Sequence, residues 1–212
     1  FSKFGILAGK LLDIIFGSLA IFLTYTVGKK IFNEKMGLLA AFFLTISPTF
    51  FFFNGVMHTE IASTFFSLLA IYLLLKNKHF LSGIFFGVAF MTRFLQLFAF
   101  LAVMLALICN KKGSKAFQGI FLGFSLAISP YLILNHILYN NALFPFLQQI
   151  FLTANSGWLN QHTISYYFIE LFRENFLYPL FIIGIFLAFR KERIRFIIFP
   201  LAVLFLFFNI IK

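Results

Sequence analysis

Long apolar runs separated by short basic clusters constrain this chain more than any other feature. Of its 17 Lys and Arg residues, 12 stand in four clusters: Lys29/Lys30/Lys35, Lys76/Lys78, Lys111/Lys112/Lys115 and Arg190/Lys191/Arg193/Arg195. Basic residues resist translocation, so the four clusters mark one face of a membrane, the cytoplasmic one. The sparse remaining ionisable groups, among them His58, Glu60, Arg93, His136, His162 and Glu170, fall on or toward the other side. Any chemistry is therefore expected at the face away from the clusters.

Composition excludes the soluble classes. The chain is 62% hydrophobic and 11% charged, against roughly half apolar and a quarter charged in ordinary domains. A net charge of +11 raises the possibility of nucleic acid, but that partner needs its basic residues on one solvated face, whereas here they punctuate apolar runs. The clusters hold 12 positive charges and only Glu34 and Glu192 as negatives, so 12 − 2 = 10 of the net +11 is a topology signal, with contact to anionic lipid as a second use. The 37 Phe residues are tolerated by lipid and do not by themselves define an aromatic channel. Cys109 is the only cysteine, which leaves no disulfide framework and no thiolate metal site.

Crossing about 30 Å of hydrocarbon takes roughly 20 helical residues, and backbone satisfaction in lipid makes such spans helices. The runs are Phe4–Gly28, Gly37–Val56, Glu60–Leu75, Phe80–Thr92, Phe94–Cys109, Ala116–Leu134, Phe176–Phe189 and Phe196–Ile211. Threading them alternately puts all four clusters on one side. One stretch resists simple spans. Residues 80 to 109 leave and regain the cytoplasmic face with about 15 residues per arm, or roughly 22 Å of helix, which is short of a crossing. A hairpin with Met91-Thr92-Arg93 at its tip satisfies that arithmetic and leaves Arg93 at membrane depth. The expected fold class is thus all-α: a polytopic transmembrane bundle of about eight hydrophobic helices, including the short hairpin at 80–109. It is read as one domain over 1–212, incomplete at both ends, since the chain opens Phe1-Ser2-Lys3-Phe4 and closes in the apolar run Phe205 to Ile211.

The connections on the far side differ in length. Asn54–Thr59 is tight, while 135–175 is expected to be a long loop of mixed polarity, closed by an amphipathic interfacial helix from Tyr166 to Arg173. Loops of this kind beside a bundle carry function. No internal repeat stands out, which counts against inverted-repeat transporters.

The candidate chemistry lies in Met57-His58-Thr59-Glu60 and in Arg93. A carboxylate in a first helical turn is favoured by the macrodipole, so Glu60 reads either as a helix-start residue or, with His58, as a catalytic acid/base, metal ligand or sugar contact. Residues two apart on a regular helix do not face together, so a joint role requires irregular geometry at that junction. An arginine inside a short intramembrane hairpin is costly without a partner or a task. Its fork of donors suits a phosphate oxyanion, and the alternative is pairing with Glu60 or a buried carbonyl. Asp13 and Lys10, three residues apart, read as a structural pair. His136 and His162 read as loop residues, with metal binding as the alternative.

The order of several segments resembles a known family. An apolar span ends Tyr25-Thr26-Val27-Gly28-Lys29-Lys30-Ile31-Phe32. Ala40-Ala41-Phe42-Phe43-Leu44-Thr45-Ile46-Ser47-Pro48 precedes the acidic Glu60. Then come Ser82-Gly83-Ile84-Phe85-Phe86-Gly87-Val88-Ala89-Phe90-Met91-Thr92-Arg93 and Pro130-Tyr131-Leu132-Ile133-Leu134-Asn135. Together these resemble the GT-C class of polyprenyl-phosphate-sugar-dependent glycosyltransferases, of the protein O-mannosyltransferase and aminoarabinose-transferase type, over about residues 5 to 150. Asn140-Asn141-Ala142-Leu143-Phe144-Pro145 departs from the family's corresponding segment by losing a Gly and a Pro.

The resemblance implies a membrane enzyme that moves a sugar from a polyprenyl phosphate to a lipid, glycan or protein acceptor on the outer face. In that resemblance Glu60 matches the second acidic position and Arg93 the basic hairpin position near the lipid phosphate; with the residue reading above, Glu60 and His58 are expected as catalytic residues and Arg93, Asn135 and His136 as substrate contacts. The resemblance also implies that the main catalytic acid lies upstream of residue 1. The expected partners are the polyprenyl-phosphate-linked sugar and the bilayer, with no nucleic acid and the acceptor open. No cofactor is demanded, and a divalent metal stays an open option. The expected location is a prokaryotic plasma membrane. A polytopic transporter or lipid flippase is the rival reading, and a non-catalytic scaffold a third.

Overall fold

With no water in hydrocarbon to satisfy free N–H and C=O groups, a chain this apolar resolves into helices. The computed structural model describes residues 3–155, apart from Met57 and 110–113, together with Ile169. Among these it contains α1 (Lys3–Ile31), α2 (Glu34–Thr45), α3 (Pro48–Phe53), α4 (Thr59–Leu75), α5 (His79–Thr92), α6 (Gln96–Cys109), α7 (Ser114–Tyr139) and α8 (Phe144–Asn155). The expected all-α bundle is present. Two helices, over Gly5–Ile31 and Ser114–Tyr139, are long and apolar enough to cross a membrane outright. The expected spans at 176–189 and 196–211, the interfacial helix at 166–173, Lys111, Lys112, the cluster at 190–195, His162 and Glu170 lie outside the described residues.

The connections α1–α2 and α4–α5, carrying Lys29/Lys30/Lys35 and Lys76/Lys78, fall at the same end of the bundle as the start of α7 with Lys115. Asn33 caps α2 by accepting the Met36 N–H at 2.9 Å, the usual service of an Asn at a helix start. Lys29 Nζ lies 3.2 Å from a Glu34 carboxylate oxygen across the same turn. Asn77, with a positive φ of 59°, takes the left-handed step that ends α4, which Asn tolerates better than most residues.

Two expectations are corrected. The run 37–56 is not one span: α2 ends at Thr45, and Ser47-Pro48 starts α3. Proline disfavours helical backbone at the residue before it, and Ser47 accordingly sits at φ −65°, ψ 119° and caps α3 by accepting the Phe50 N–H. Nor is 135–175 a loop from its first residue. Helix α7 continues through Asn135 and His136 to Tyr139, and a second helix, α8, follows at Phe144. The turn between them uses Asn140 at φ 55°, while the Asn141 side chain accepts the Leu143 N–H at 2.9 Å. Pro145 is harmless in the first turn of α8, where no intrahelical N–H donor is needed.

Small residues let the helices touch. Helices α5 and α7 run parallel, and a Cβ on Gly83 would collide with the Ile120 carbonyl, as one on Gly123 would with the Phe80 carbonyl. Close backbone approach of this kind is what drives association where lipid is as apolar as the side chains. Ser82, fully buried, donates to the Ala70 carbonyl at 2.8 Å and ties α5 to α4. The core gathers around Phe86, Phe90, Phe100, Ile120 and Phe124, with Phe100 and Phe124 stacked at 3.8 Å between ring centroids. Conversely Leu7, Leu11, Leu12, Phe22 and Ile137 are exposed, as expected where the solvent is lipid.

The packing predicts a sharp contrast between two glycines. Gly83→Ala should cost about 1–3 kcal/mol through overpacking and lower the thermal unfolding midpoint in detergent. Gly55→Ala, whose new Cβ meets nothing closer than the Phe52 carbonyl at 3.9 Å, should leave it unchanged.

Candidate active site

The end of the bundle away from the basic clusters is built by three chain reversals, at 54–58, at 93–95 and at 140–143. The first places an acid. Helix α4 begins at Thr59, with His58 as the flanking residue in extended backbone at φ −111°, ψ 151°. Glu60 thus occupies the first turn, where the positive end of the helix dipole favours its charge. The second reversal places a base. Helix α5 stops after 14 residues, and Arg93 follows it in extended backbone at φ −149°, ψ 117°. The negative end of α5 favours a cation there. Because α4 and α5 are antiparallel, these two complementary ends meet.

The pair is made. Arg93 Nη1 lies 2.8 Å from Glu60 Oε1, with side chains 35% and 24% exposed respectively. The extended backbone at His58 supplies the irregularity that a joint role required, and its Nδ1 stands 3.5 Å from Glu60 Oε2. Among the described residues that second carboxylate oxygen has no hydrogen-bond partner although it is buried. It is the open acceptor of the cluster. The His58 ring also packs edge-on against Phe53 at 5.3 Å.

Asp13 was expected to pair with Lys10, and it does not. Its carboxylate, 7% exposed, accepts the backbone N–H of His58 at 3.1 Å, while Lys10 is exposed. The bond satisfies one of the orphan donors at the start of α4 and fixes the junction that aims His58 at Glu60. Asn135 is 3% exposed within α7, and its amide donates to the Ala142 carbonyl at 3.3 Å, bracing the α7–α8 turn. His136 points out of the bundle on the same helix. Among the hydrogen bonds and ion pairs of the described residues, neither joins the Glu60–Arg93 cluster.

Several features escaped the sequence reading. Glu60, Ser63 and Ser67 share one face of α4 at i, i+3 and i+7. Below the ion pair, Ser67 donates to Gln96 Oε1 at 2.9 Å, and Gln96 Nε2 donates to Ser63 Oγ at 3.3 Å. The 3- and 7-residue spacing was visible in an otherwise apolar run, and only its partner on α6 was hidden. Helix α8 also folds back over the hairpin: Phe146 stacks on Phe90 at 5.0 Å and on Phe94 at 5.8 Å, and meets Tyr131 edge-on at 5.6 Å.

For a metal, His58 and Glu60 supply two donors. Among the described residues no group of three or more His, Cys, Asp or Glu side chains comes together. What the cluster can do on its own is hold an anion against the unused donors of Arg93 and take up a proton at Glu60 or His58.

Neither a curated protein nor a solved structure matches the chain. One family does. The model for dolichyl-phosphate-mannose-protein mannosyltransferases matches residues 1–139, a stretch that contains α1 through α7 and hence Glu60, Arg93 and the hairpin between them. Since that covers 139 of the 212 residues, the chain belongs to this family of GT-C membrane glycosyltransferases, which draw on polyprenyl-phosphate-linked sugars.

Proposed function

We propose that the full-length protein transfers a sugar from a polyprenyl phosphate to an acceptor hydroxyl on the outer face of a prokaryotic plasma membrane, with Arg93 receiving the donor phosphate and Glu60, assisted by His58, lining the same site. The Glu60–Arg93 pair at the tip of a hairpin too short to cross the bilayer carries this reading. Such a hairpin leaves its arginine at the depth where a lipid-linked phosphate resides. Nη1 is used by Glu60, and the guanidinium keeps its other N–H groups for a phosphate oxygen.

In the transfer, the acceptor oxygen forms a bond to the anomeric carbon as the bond from that carbon to the phosphate oxygen breaks, inverting the centre. The polyprenyl phosphate leaves with the bonding electron pair, and Arg93 stabilises the charge gathering on it. The acceptor's proton goes to a carboxylate base. Within these residues Glu60 Oε2, buried and without a hydrogen-bond donor, fits that task, with His58 Nδ1 beside it to share the proton. Asn135 and His136 would meet substrate only from the α7 side.

Two experiments bear on the assignment. In full-length protein, Arg93→Ala should lower sugar transfer from a polyprenyl-phosphate donor by about a hundredfold or more at unchanged membrane abundance, and undiminished transfer would overturn the role. The pair should also show separable stability and activity. Glu60→Leu or Arg93→Met alone leaves a part-buried charge without its partner and should cost about 1–3 kcal/mol, discounted for the exposure of both groups. Glu60→Leu combined with Arg93→Met should regain most of the thermal midpoint and none of the transfer.

A further inference from the structure

We infer that Gln96 is a positioning residue for Arg93, holding the arginine's backbone at a fixed place relative to Glu60 whether or not the ion pair is made. The inference rests on the reading of Arg93 as the phosphate ligand. A long, flexible guanidinium side chain finds a ligand reproducibly only if its backbone is anchored. Glu60 is a poor sole anchor, because an arriving phosphate competes for the same guanidinium.

Gln96 supplies an anchor that no anion competes for. Its backbone N–H donates to the Arg93 carbonyl at 3.0 Å, closing the tight turn between α5 and α6. Its side-chain amide spans to α4, donating to Ser63 Oγ at 3.3 Å and accepting from Ser67 Oγ at 2.9 Å. Ser63 in turn donates to the Glu60 carbonyl at 3.0 Å. A path of three hydrogen bonds therefore joins the backbone of Glu60 to the backbone of Arg93 through Ser63 and Gln96. Ser63 is fully buried and Ser67 is 9% exposed. Breaking the path strands polar groups away from water, so it persists.

The test uses full-length protein in lipid nanodiscs, with a polyprenyl monophosphate as the probe and the corresponding polyprenol as the phosphate-free control. Gln96→Met, close in size and without hydrogen-bonding groups, should weaken monophosphate binding about fivefold, the worth of one or two net hydrogen bonds, and leave polyprenol binding unchanged. In an Arg93→Ala background, Gln96→Met should cause no further loss, since there is no arginine left to place. An unchanged affinity, or an equal loss with Arg93 absent, overturns the inference. Ser67→Ala, which leaves the path whole but removes the second bond that steadies the Gln96 amide, should give an intermediate loss and substitutes for Gln96→Met should that variant fail to fold.

A separate readout distinguishes failure of the phosphate reading from failure of this one. If Arg93→Ala binds the monophosphate as wild type does, the phosphate reading falls. The positional claim is then judged by thiol labelling of Thr92→Cys with Cys109→Ser. Gln96→Met should accelerate that labelling several-fold, and an unchanged rate overturns the positioning role.

Discussion

The length of α5 decides the rest of the site. A helix of 14 residues reaches roughly 21 Å, and a chain that stops there inside a bundle has to satisfy its last carbonyls and turn back before reaching the surface. Every polar feature nearby answers that requirement. Arg93 closes the helix, Gln96 donates to the Arg93 carbonyl, and the following residues wind into α6 through short-range bonds from Leu97 and Phe98 to the carbonyls of Phe94 and Leu95. A hairpin long enough to cross would deliver Arg93 to water, where it would not need Glu60.

Helix orientation makes the ion pair tolerable. A part-buried salt bridge often fails to repay its desolvation cost, but here each partner also sits at the end of a helix whose dipole favours its charge. The arrangement needs α4 and α5 antiparallel and close, which the short Lys76–Lys78 connection and the Ser82–Ala70 bond provide. It needs α5 pressed against a long neighbour as well, and the glycine contacts with α7 supply that support. Basic residues at one end of the bundle and an acid–arginine pair at the other are therefore two outcomes of the same up-and-down threading.

The fold was legible to the extent that apolar length and charge position determine it. The shortness of residues 80–109 placed the hairpin tip at Met91-Thr92-Arg93, and the helices break at Arg93. The break at Ser47-Pro48 was less legible, because the run on both sides of it is continuously apolar and only the proline's effect on its predecessor separates α2 from α3. Helix α8 was hidden for the opposite reason. Asn140, Asn141, Pro145, Gln148 and Gln149 read as a loop, yet its apolar residues find a surface only once Phe90, Phe94 and Tyr131 have been assembled by other segments. At the site, Glu60 and Arg93 stood out because a charge in an apolar run is conspicuous. Asp13 was visible too, but its partner is a backbone N–H 45 residues away, and no local pattern announces that. The choice between a transferase and a transporter came from the family match, since both need the same helices.

The Glu60–Arg93 contact also bears on how an arginine is kept at the tip of a short hairpin. An unpaired arginine at this depth would be costly, and one permanently sequestered would be useless. Oε1 of Glu60 covers the charge while Oε2 has no hydrogen-bond donor among the described residues, so within them the carboxylate is only half committed. On the proposed role of Arg93, a phosphate at the other guanidinium donors would weaken the hold of Glu60 without having to break it, because the fork accommodates more than one oxygen.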